Sequence, residues 1–143
     1  MRRVLIVANQ TAGGRHLHDE VRRRIAREPH SFVLVVPPSP PHHTMTFTEG
    51  EARADAQERM EHAVASLREL GAEVEGLVGV SRPMDAVADV LWTRTFDEII
   101  VSTLPHAISR WLKIDLPHRV EKRFGLPVTH VVAEPAEAAS GRR

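Results

Sequence analysis

The segment of residues 97–132 constrains the fold of this chain more than any other part of the sequence. It opens with Ile-Ile-Val-Ser-Thr at 99–103, a β-branched run that is typical of a strand buried on both faces. Apolar residues at helical spacing follow over 116–124, and the helix that they predict ends at Gly125, just before a proline. A second apolar run at 127–132 completes a strand–helix–strand unit. This order predicts a right-handed crossover between two parallel strands.

Two periodicities alternate along the rest of the chain and together indicate the fold class. Runs with strand character are separated by segments with apolar residues at helical spacing. Five strands alternating with four helices predict a single-domain α/β fold with a doubly wound parallel sheet, strand order 3-2-1-4-5 and helices on both faces. The predicted strands span residues 3–8, 31–36, 72–78, 97–102 and 127–132.

Three segments are expected to lie outside the packed core. The stretch Pro-Pro-Ser-Pro-Pro-His-His-Thr at 37–44 has too much proline for a helix or a sheet strand and predicts an extended, exposed loop. Residues 133–143 have little to bury and predict a flexible tail after a domain of residues 1–132. The arginine run at 22–24 is interpreted as a solvated face of the first helix, with a phosphate-rich partner as the alternative.

Composition excludes several classes of function. The chain has no cysteine, so disulfides, thiolate zinc sites and thiol nucleophiles are excluded. Its 19 basic and 19 acidic residues balance, which argues against nucleic acid as a partner because such proteins carry a clustered basic excess. No apolar run reaches membrane-spanning length, and the first residues enter a strand instead of forming a signal peptide. We therefore expect a cytoplasmic protein with no membrane partner.

Two polar segments are predicted to meet at the carboxyl edge of the sheet, where open α/β sheets bind ligands. The first, at 9–14, reads Asn-Gln-Thr-Ala-Gly-Gly; its glycines either let a ligand approach the backbone or form a tight turn. The second, at 102–113, follows the fourth strand and forms a site, unless Trp111 packs over the sheet end and the charged residues are solvated. We favour the site. Its candidate residues are Ser102, Thr103, Ser109, Arg110, Trp111 and Lys113.

No catalytic or metal-binding residues are predicted. The sequence lacks a Gly-x-Ser-x-Gly motif, so Ser102 has no nucleophile elbow. The nine histidines are scattered, and His16 and His18 would face different sides of a helix. We therefore expect a protein without strong catalytic activity.

The same features resemble the universal stress protein family. The frame Asp-x-Ile-Ile-Val-Ser-Thr at 97–103 and the closing Pro-Val-x-x-Val-Val at 127–132 are similar to its last two strands. The segment Leu-Arg-Glu-Leu-Gly-Ala-Glu-Val at 67–74 is similar to the end of its second helix. Nucleotide-binding members carry Gly-x-x-Gly, and later Gly-Ser/Thr, in the loop after the fourth strand. This chain resembles a divergent member, because Ser102 and Pro105 replace the first two glycines and the third is also absent.

The resemblance implies that the protein binds or senses a small ligand, with ATP or another adenine nucleotide as the ligand. In such an arrangement adenine lies against the backbone after the second strand, at Val36, and Asn9 replaces the family's aspartate beside the ribose. The phosphates would face Ser109, Arg110 and Lys113. The implied ligand-binding residues are Asn9, Thr11, Gly13, Val36, Ser102, Thr103, Ser109, Arg110 and Lys113.

A second class of function stays open, namely a stress-response scaffold that binds no nucleotide and acts through protein partners. In that case Asp115 and Pro105 would close the pocket. Asp115 is predicted to accept the backbone N–H of His118, to cap the helix at 116–124 and to repel a phosphate. An ATP-hydrolysing enzyme is the third alternative and is disfavoured, because no pair of metal-binding carboxylates is evident.

The two open edges of the predicted sheet differ, and the difference predicts a homodimer. The third strand carries Glu73, Glu75 and Gly76, which discourage pairing at that edge. The fifth strand, Val-Thr-His-Val-Val at 128–132, has no charge at neutral pH and a high β propensity. We therefore expect two copies to pair through the fifth strand about a two-fold axis, as the family resemblance also implies.

Overall fold

Strands and helices alternate along the chain as the two periodicities predict. The computed structural model describes residues 1–39, 48–105 and 109–133. The strands are β1 (Arg2–Val7), β2 (His30–Val36), β3 (Glu73–Val78), β4 (Glu98–Thr103) and β5 (Val128–Val132). The helices are α1 (Arg15–Arg27), α2 (Glu49–Glu69), α3 (Pro83–Thr93), α4 (Arg110–Lys113) and α5 (Leu116–Phe124). Within the described part of the chain, no helix has the length and apolar character needed to cross a membrane.

The strand order β3-β2-β1-β4-β5, with every neighbouring pair parallel, confirms the predicted doubly wound fold. The predicted strand boundaries agree with the observed ones to within one residue. The prediction of four helices was wrong, because α4 forms a further short helix inside the segment expected to be a loop. Its four residues are too few to show a helical period in the sequence.

The two-residue period of β1 divides its side chains between two hydrophobic cores. Val4 and Ile6 belong to the core under α1 and α2, whereas Leu5 and Val7 belong to the core under α3 and α5. These four side chains are fully buried, as are residues 99–101 of β4. Helices therefore lie on both faces, as predicted, and the middle of the sheet has no solvent-facing side.

A glycine in β3 lets α2 pack closely against the sheet. A Cβ atom at Gly76 would lie 2.2 Å from Met60 Sδ and 2.7 Å from Val64 Cγ2, so a side chain there would force these groups to move. The glycine that the sequence suggested as a guard of the sheet edge therefore has a packing role as well.

Both ends of α5 depend on residues with positive φ. Gly125 has a φ of 69° and ends the helix, as its position in the sequence predicts. Asp115 has a φ of 55° at the N-cap, and its carboxylate makes no capping bond to the backbone. The predicted bond from the N–H of His118 was therefore wrong, because a capping side chain needs an extended backbone at this position. The carboxylate instead contacts Nδ1 of the His118 ring at 3.2 Å.

The predicted loop after β2 begins with two buried residues. Pro37 and Pro38 are both buried, so the expectation of an exposed segment was wrong at its start. The cause is a tertiary contact, since the carbonyl of Pro37 accepts a hydrogen bond from the Asn9 side chain. Ala133, expected to begin the tail, is buried and donates its N–H to a carbonyl of β4. The rest of the predicted loop, residues 40–44, and of the predicted tail lies outside the described residues.

Arg24 is buried near the N-terminal edge of the sheet, which corrects the prediction of a solvated arginine run. Its guanidinium pairs with Glu98 of β4 and Glu20 of α1 and donates to the hydroxyl of Thr129 in β5. Only 4% of Arg24 and 7% of Glu98 is exposed. Residues 22–23 of the same run are exposed, as predicted.

Helical spacing explains why Arg24 differs from its neighbours. Leu17, Val21 and Arg24 recur four and three residues apart and form the buried stripe of α1. Because an unpaired buried charge is costly, this guanidinium requires an opposing carboxylate, which Glu98 provides. Arg2 contacts the same carboxylate at 3.3 Å. The cluster connects α1 to the first residues of β1 and β4.

Replacing Arg24 with leucine should lower the free energy of unfolding by about 3 kcal/mol, because Glu98 would stay buried without its main partner. Chemical denaturation of the purified variant measures the change. Arg22→Leu is the matched control, since its pair with Asp19 is exposed and contributes about 0.5 kcal/mol or less. Arg24→Leu combined with Glu98→Leu should recover most of the loss. Equal losses for Arg22→Leu and Arg24→Leu would contradict this account.

Candidate functional site

A cleft opens at the carboxyl ends of β1 and β4, where the two connections leave the sheet toward opposite faces. Such a switch point is where open α/β sheets bind ligands. The described residues that line the cleft come from the turn after β1, the segment after β2, the end of β4 and the start of α4. They are Asn9, Gln10, Thr11, Ser39, Ser102, Thr103, Leu104, Ser109, Arg110 and Trp111.

A hydrogen bond joins the two halves of the cleft. Thr11 Oγ1 lies 2.6 Å from Ser102 Oγ, and both side chains are buried. A tight turn places Thr11, since the N–H of Ala12 donates to the carbonyl of Asn9 and the N–H of Gly14 donates to the carbonyl of Thr11. The bond between the hydroxyls uses one of their two protons. The pair therefore keeps one proton that it can donate to a ligand.

Ser109 starts α4 and positions the two large side chains of the cleft. Its Oγ accepts the N–H of Leu112 at 3.1 Å, which is an N-cap bond. This bond leaves the proton of the Ser109 hydroxyl unused. Trp111 is half-buried and packs against the core under α5, while Arg110 is exposed at the rim. Trp111 thus both covers the end of the sheet and lines the cleft.

The side-chain amide of Asn9 is held by the protein at both of its polar atoms. Nδ2 donates to the carbonyl of Pro37 at 2.8 Å, and Oδ1 accepts from Arg59 Nη1 at 2.5 Å. Arg59 comes from α2 and also pairs with Asp55 at 3.0 Å. The amide therefore connects the end of β1 to the end of β2 and to α2. An aspartate at this position would lack the donor that Pro37 requires.

Thr103 connects the cleft to the edge strand β5. Its Oγ1 lies 2.8 Å from His130 Nε2, and its carbonyl accepts the N–H of Ala133 at 2.9 Å. Partial burial of the imidazole lowers the pKa of His130 below its ordinary value, because burial penalises the charged form. The ring is therefore neutral at pH 7 and forms one hydrogen bond with the Thr103 hydroxyl.

The enclosed part of the cleft is small and rich in hydroxyl groups. Its volume is about 60 Å³, whereas pockets that enclose a whole small-molecule ligand span roughly 300–1,000 Å³. A ligand larger than a few water-sized groups would extend over the open side. Among the described lining residues, Arg110 is the one cation and none is a carboxylate. The hydroxyl-bearing residues are Thr11, Ser39, Ser102, Thr103 and Ser109.

The structure brings together six of the nine residues predicted to bind a ligand. Gly13 is exposed before α1, Val36 is fully buried in the core under α2, and Lys113 is exposed at the end of α4. None of these three is among the residues that line the cleft. The six that meet are Asn9, Thr11, Ser102, Thr103, Ser109 and Arg110.

Several residues of the site were not predicted. Gln10 and Leu104 are neighbours of predicted residues, and Ser39 lies close behind the carboxyl end of β2, which was a usable signal. Trp111, by contrast, was named among the candidates from the sequence, and it lines the cleft. Arg59 had no signal in the sequence, since it lies 50 residues from Asn9 and approaches it only through the packing of α2.

The residues proposed to close the pocket in the scaffold alternative lie elsewhere. Neither Asp115 nor Pro105 lines the cleft, and Asp115 is exposed beside His118 at the start of α5. These two residues therefore do not close the pocket. Across residues 1–39, 48–105 and 109–133, no three His, Asp or Glu side chains are grouped so that they could hold a metal ion.

Solved structures with a similar arrangement cover nearly the whole chain. A universal stress protein in complex with cAMP is 16% identical, with a TM-score of 0.63 over 93% of this chain and 98% of that one. A universal stress protein family protein from Arabidopsis thaliana with AMP bound is 12% identical, with a TM-score of 0.66 over 96% of this chain and 95% of that one. One from Archaeoglobus fulgidus in complex with dAMP is 19% identical, with a TM-score of 0.55 over 92% and 97%. This chain has the universal stress protein fold.

The universal stress protein fold confirms, at the level of architecture, the resemblance found in the sequence. No known family profile matches the chain, and no curated protein matches it in sequence. This agrees with a divergent sequence, in which Ser102 and Pro105 stand where the family resemblance leads us to expect glycines. Similarity at 12–19% identity establishes the fold, and the ligand has to be argued from the cleft itself.

Replacing Asn9 with alanine should lower the free energy of unfolding by about 2 kcal/mol, because the Pro37 carbonyl and the Arg59 guanidinium would both lose a partner. Chemical denaturation measures the change. Gln10→Ala is the matched control, since Gln10 follows in the chain and lines the same cleft, and it should cost about 0.5 kcal/mol or less. Asn9→Asp should fall between them, because it keeps an acceptor for Arg59. Equal costs for Asn9→Ala and Gln10→Ala would disprove the role of the amide.

Proposed function

We propose that the chain is a divergent universal stress protein that binds an adenine nucleotide, with a phosphate in the cleft between β1 and β4. The observation that carries the proposal is the convergence of Arg110 with a set of hydroxyl groups at the switch point of the sheet. The cAMP, AMP and dAMP in structures of the same fold support the choice of an adenine nucleotide. A role in the stress response and a cytoplasmic location stay predictions from the sequence.

An anionic group in the cleft would meet donors from three sources. Arg110 supplies a guanidinium, Ser109 supplies a hydroxyl proton, and the pair formed by Thr11 and Ser102 supplies another. These side chains would take the place of the backbone N–H groups that a glycine-rich loop offers a phosphate. Because Arg110 is the one cation among the described lining residues, we expect a nucleoside monophosphate to bind more tightly than ATP.

The backbone carbonyls of Val36 and Pro37 are each already engaged in a hydrogen bond within the protein. The Val36 carbonyl accepts the N–H of Gly79 at 3.1 Å, and the Pro37 carbonyl accepts a side-chain amide at 2.8 Å. The two prolines that follow β2 have no N–H, so Ser39 supplies the first backbone donor after this strand. We therefore propose that the adenine edge lies at Ser39, with the ring beside Trp111, and not at Val36 as the family resemblance implied.

Replacing Arg110 with glutamine should weaken AMP binding about tenfold or more, because a charge-assisted hydrogen bond to the phosphate would be lost. Isothermal titration calorimetry with AMP, cAMP and ATP, with and without magnesium, measures the affinities. Lys113→Gln is the matched control: it removes the same charge from the same short helix but outside the cleft. Its affinity should change by no more than about twofold.

Two results would contradict different parts of the proposal. If none of the three nucleotides binds at high micromolar concentration, nucleotide binding is wrong and the scaffold alternative is favoured. If Arg110→Gln and Lys113→Gln bind AMP equally, the position of the phosphate is wrong although binding itself stands.

We also propose that two copies pair through β5. This edge carries Val132, which is 41% exposed, and His130, whose imidazole is only partly buried. The opposite edge, β3, exposes Glu73 and Glu75, and charged side chains at an edge discourage pairing. Since Val131 packs against the core, Val132 is the apolar side chain that β5 leaves at the surface.

Wild-type protein at micromolar concentration should sediment as a dimer, and Val132→Lys should sediment as a monomer because it places a charge at the strand contact. Val80→Lys is the matched control, since Val80 is 44% exposed and lies outside the strands. A single monomer-sized species for the wild type would contradict the dimer.

A further inference from the structure

A second concave surface, the α3–α5 groove, lies between the start of α3 and the exposed side of α5. Its volume is about 870 Å³, and none of its described lining residues belongs to the cleft between β1 and β4. The cationic side chains in its wall are Arg82, Arg119, Lys122 and Arg123. The geometry points to a docking site for an acidic segment of a partner protein, in which carboxylates alternate with apolar side chains.

The four cations of the α3–α5 groove have no carboxylate within ion-pair distance in the described part of the chain. Elsewhere in the molecule, Arg24, Arg59 and Arg94 are each paired with a carboxylate. Asp85 is the one acidic residue among the described lining residues, so four positive charges and one negative charge leave +3. The whole chain has no net charge, so this excess is a local feature.

Two of these cations stand where helix electrostatics disfavour them. Arg82 is the N-cap of α3, and Arg119 lies in the first turn of α5, so both are near the positive end of a helix dipole. Arg119 and Arg123 are four residues apart on one helix, and like charges at this spacing repel each other. The helix dipole stabilises Lys122 and Arg123 in the last turn of α5. It does not stabilise Arg82 or Arg119. An anionic partner would offset these unfavourable interactions.

Apolar side chains between the cations favour a polypeptide over a nucleic acid. Met84 and Ile114 line the same groove, and Ile114 is 42% exposed. A nucleic-acid surface relies on a broad basic excess and on aromatic side chains for stacking, and the described lining of the groove has no Phe, Tyr or Trp. Carboxylates pair bidentately with guanidinium groups, and apolar side chains of the same segment would cover Met84 and Ile114.

Fluorescence anisotropy with a labelled peptide that repeats Glu-Glu-Leu tests the proposal on the full chain. We expect saturable binding at low ionic strength that weakens as salt is added. Arg82→Glu combined with Arg119→Glu should weaken binding about tenfold or more. Arg22→Glu combined with Arg27→Glu is the matched control: it makes the same charge change on exposed residues of α1, on the opposite face of the sheet, and should alter affinity by no more than about twofold.

Lys122→Glu alone provides an independent test if circular dichroism shows that the double variant of the groove does not fold, and it should also weaken binding. The proposal is wrong if the wild type fails to bind the peptide at low salt, or if the α1 control loses as much affinity as the groove variants. It is also wrong if a single-stranded oligodeoxynucleotide of equal charge displaces the peptide at a concentration below that of unlabelled peptide, a result that would assign the groove to nucleic acid.

Discussion

Burial of β1 and β4 on both faces is the constraint on which the rest of the structure depends. Residues 4–7 and 99–101 are fully buried, so helices have to cover both sides of the sheet. The connection after β1 therefore passes to one face and the connection after β4 to the other. The cleft lies between these two connections, and much of its polar lining comes from the turn after β1 and from the end of β4. The position of the candidate site is thus a consequence of strand order.

Helix α4 lies between the cleft and the α3–α5 groove. Ser109 starts the helix, Arg110 and Trp111 line the cleft, and Ile114, directly after the helix, lines the groove. Asp115 then turns the chain into α5 through its left-handed backbone conformation. The two proposed binding surfaces therefore share one short element, and the N-cap bond of Ser109 supports both.

Much of the candidate site could be predicted because the polar segments follow strands with a clear pattern. Ser102 and Thr103 had to lie at the carboxyl edge once β4 was recognised as a buried parallel strand. The errors concern side-chain direction and contacts between distant segments. Val36 belongs to the core because of the face on which it lies, and Arg24 is buried because it shares a helical stripe with apolar residues. The contact between Arg59 and Asn9 depends on the packing of α2 and has no local pattern.

The sequence by itself determined the strands, most of the helices, the strand order and the edge of the sheet at which the polar segments meet. It could do so because apolar periods of two and 3.6 residues specify which faces are buried, and crossover handedness restricts the topology. Only the tertiary structure decided that Asn9 is held by Pro37 and Arg59, and that cations at the start of α3 and along α5, which have no carboxylate partner among the described residues, meet in one groove. These contacts join residues far apart in the chain, and their geometry depends on how the helices pack and not on any local period.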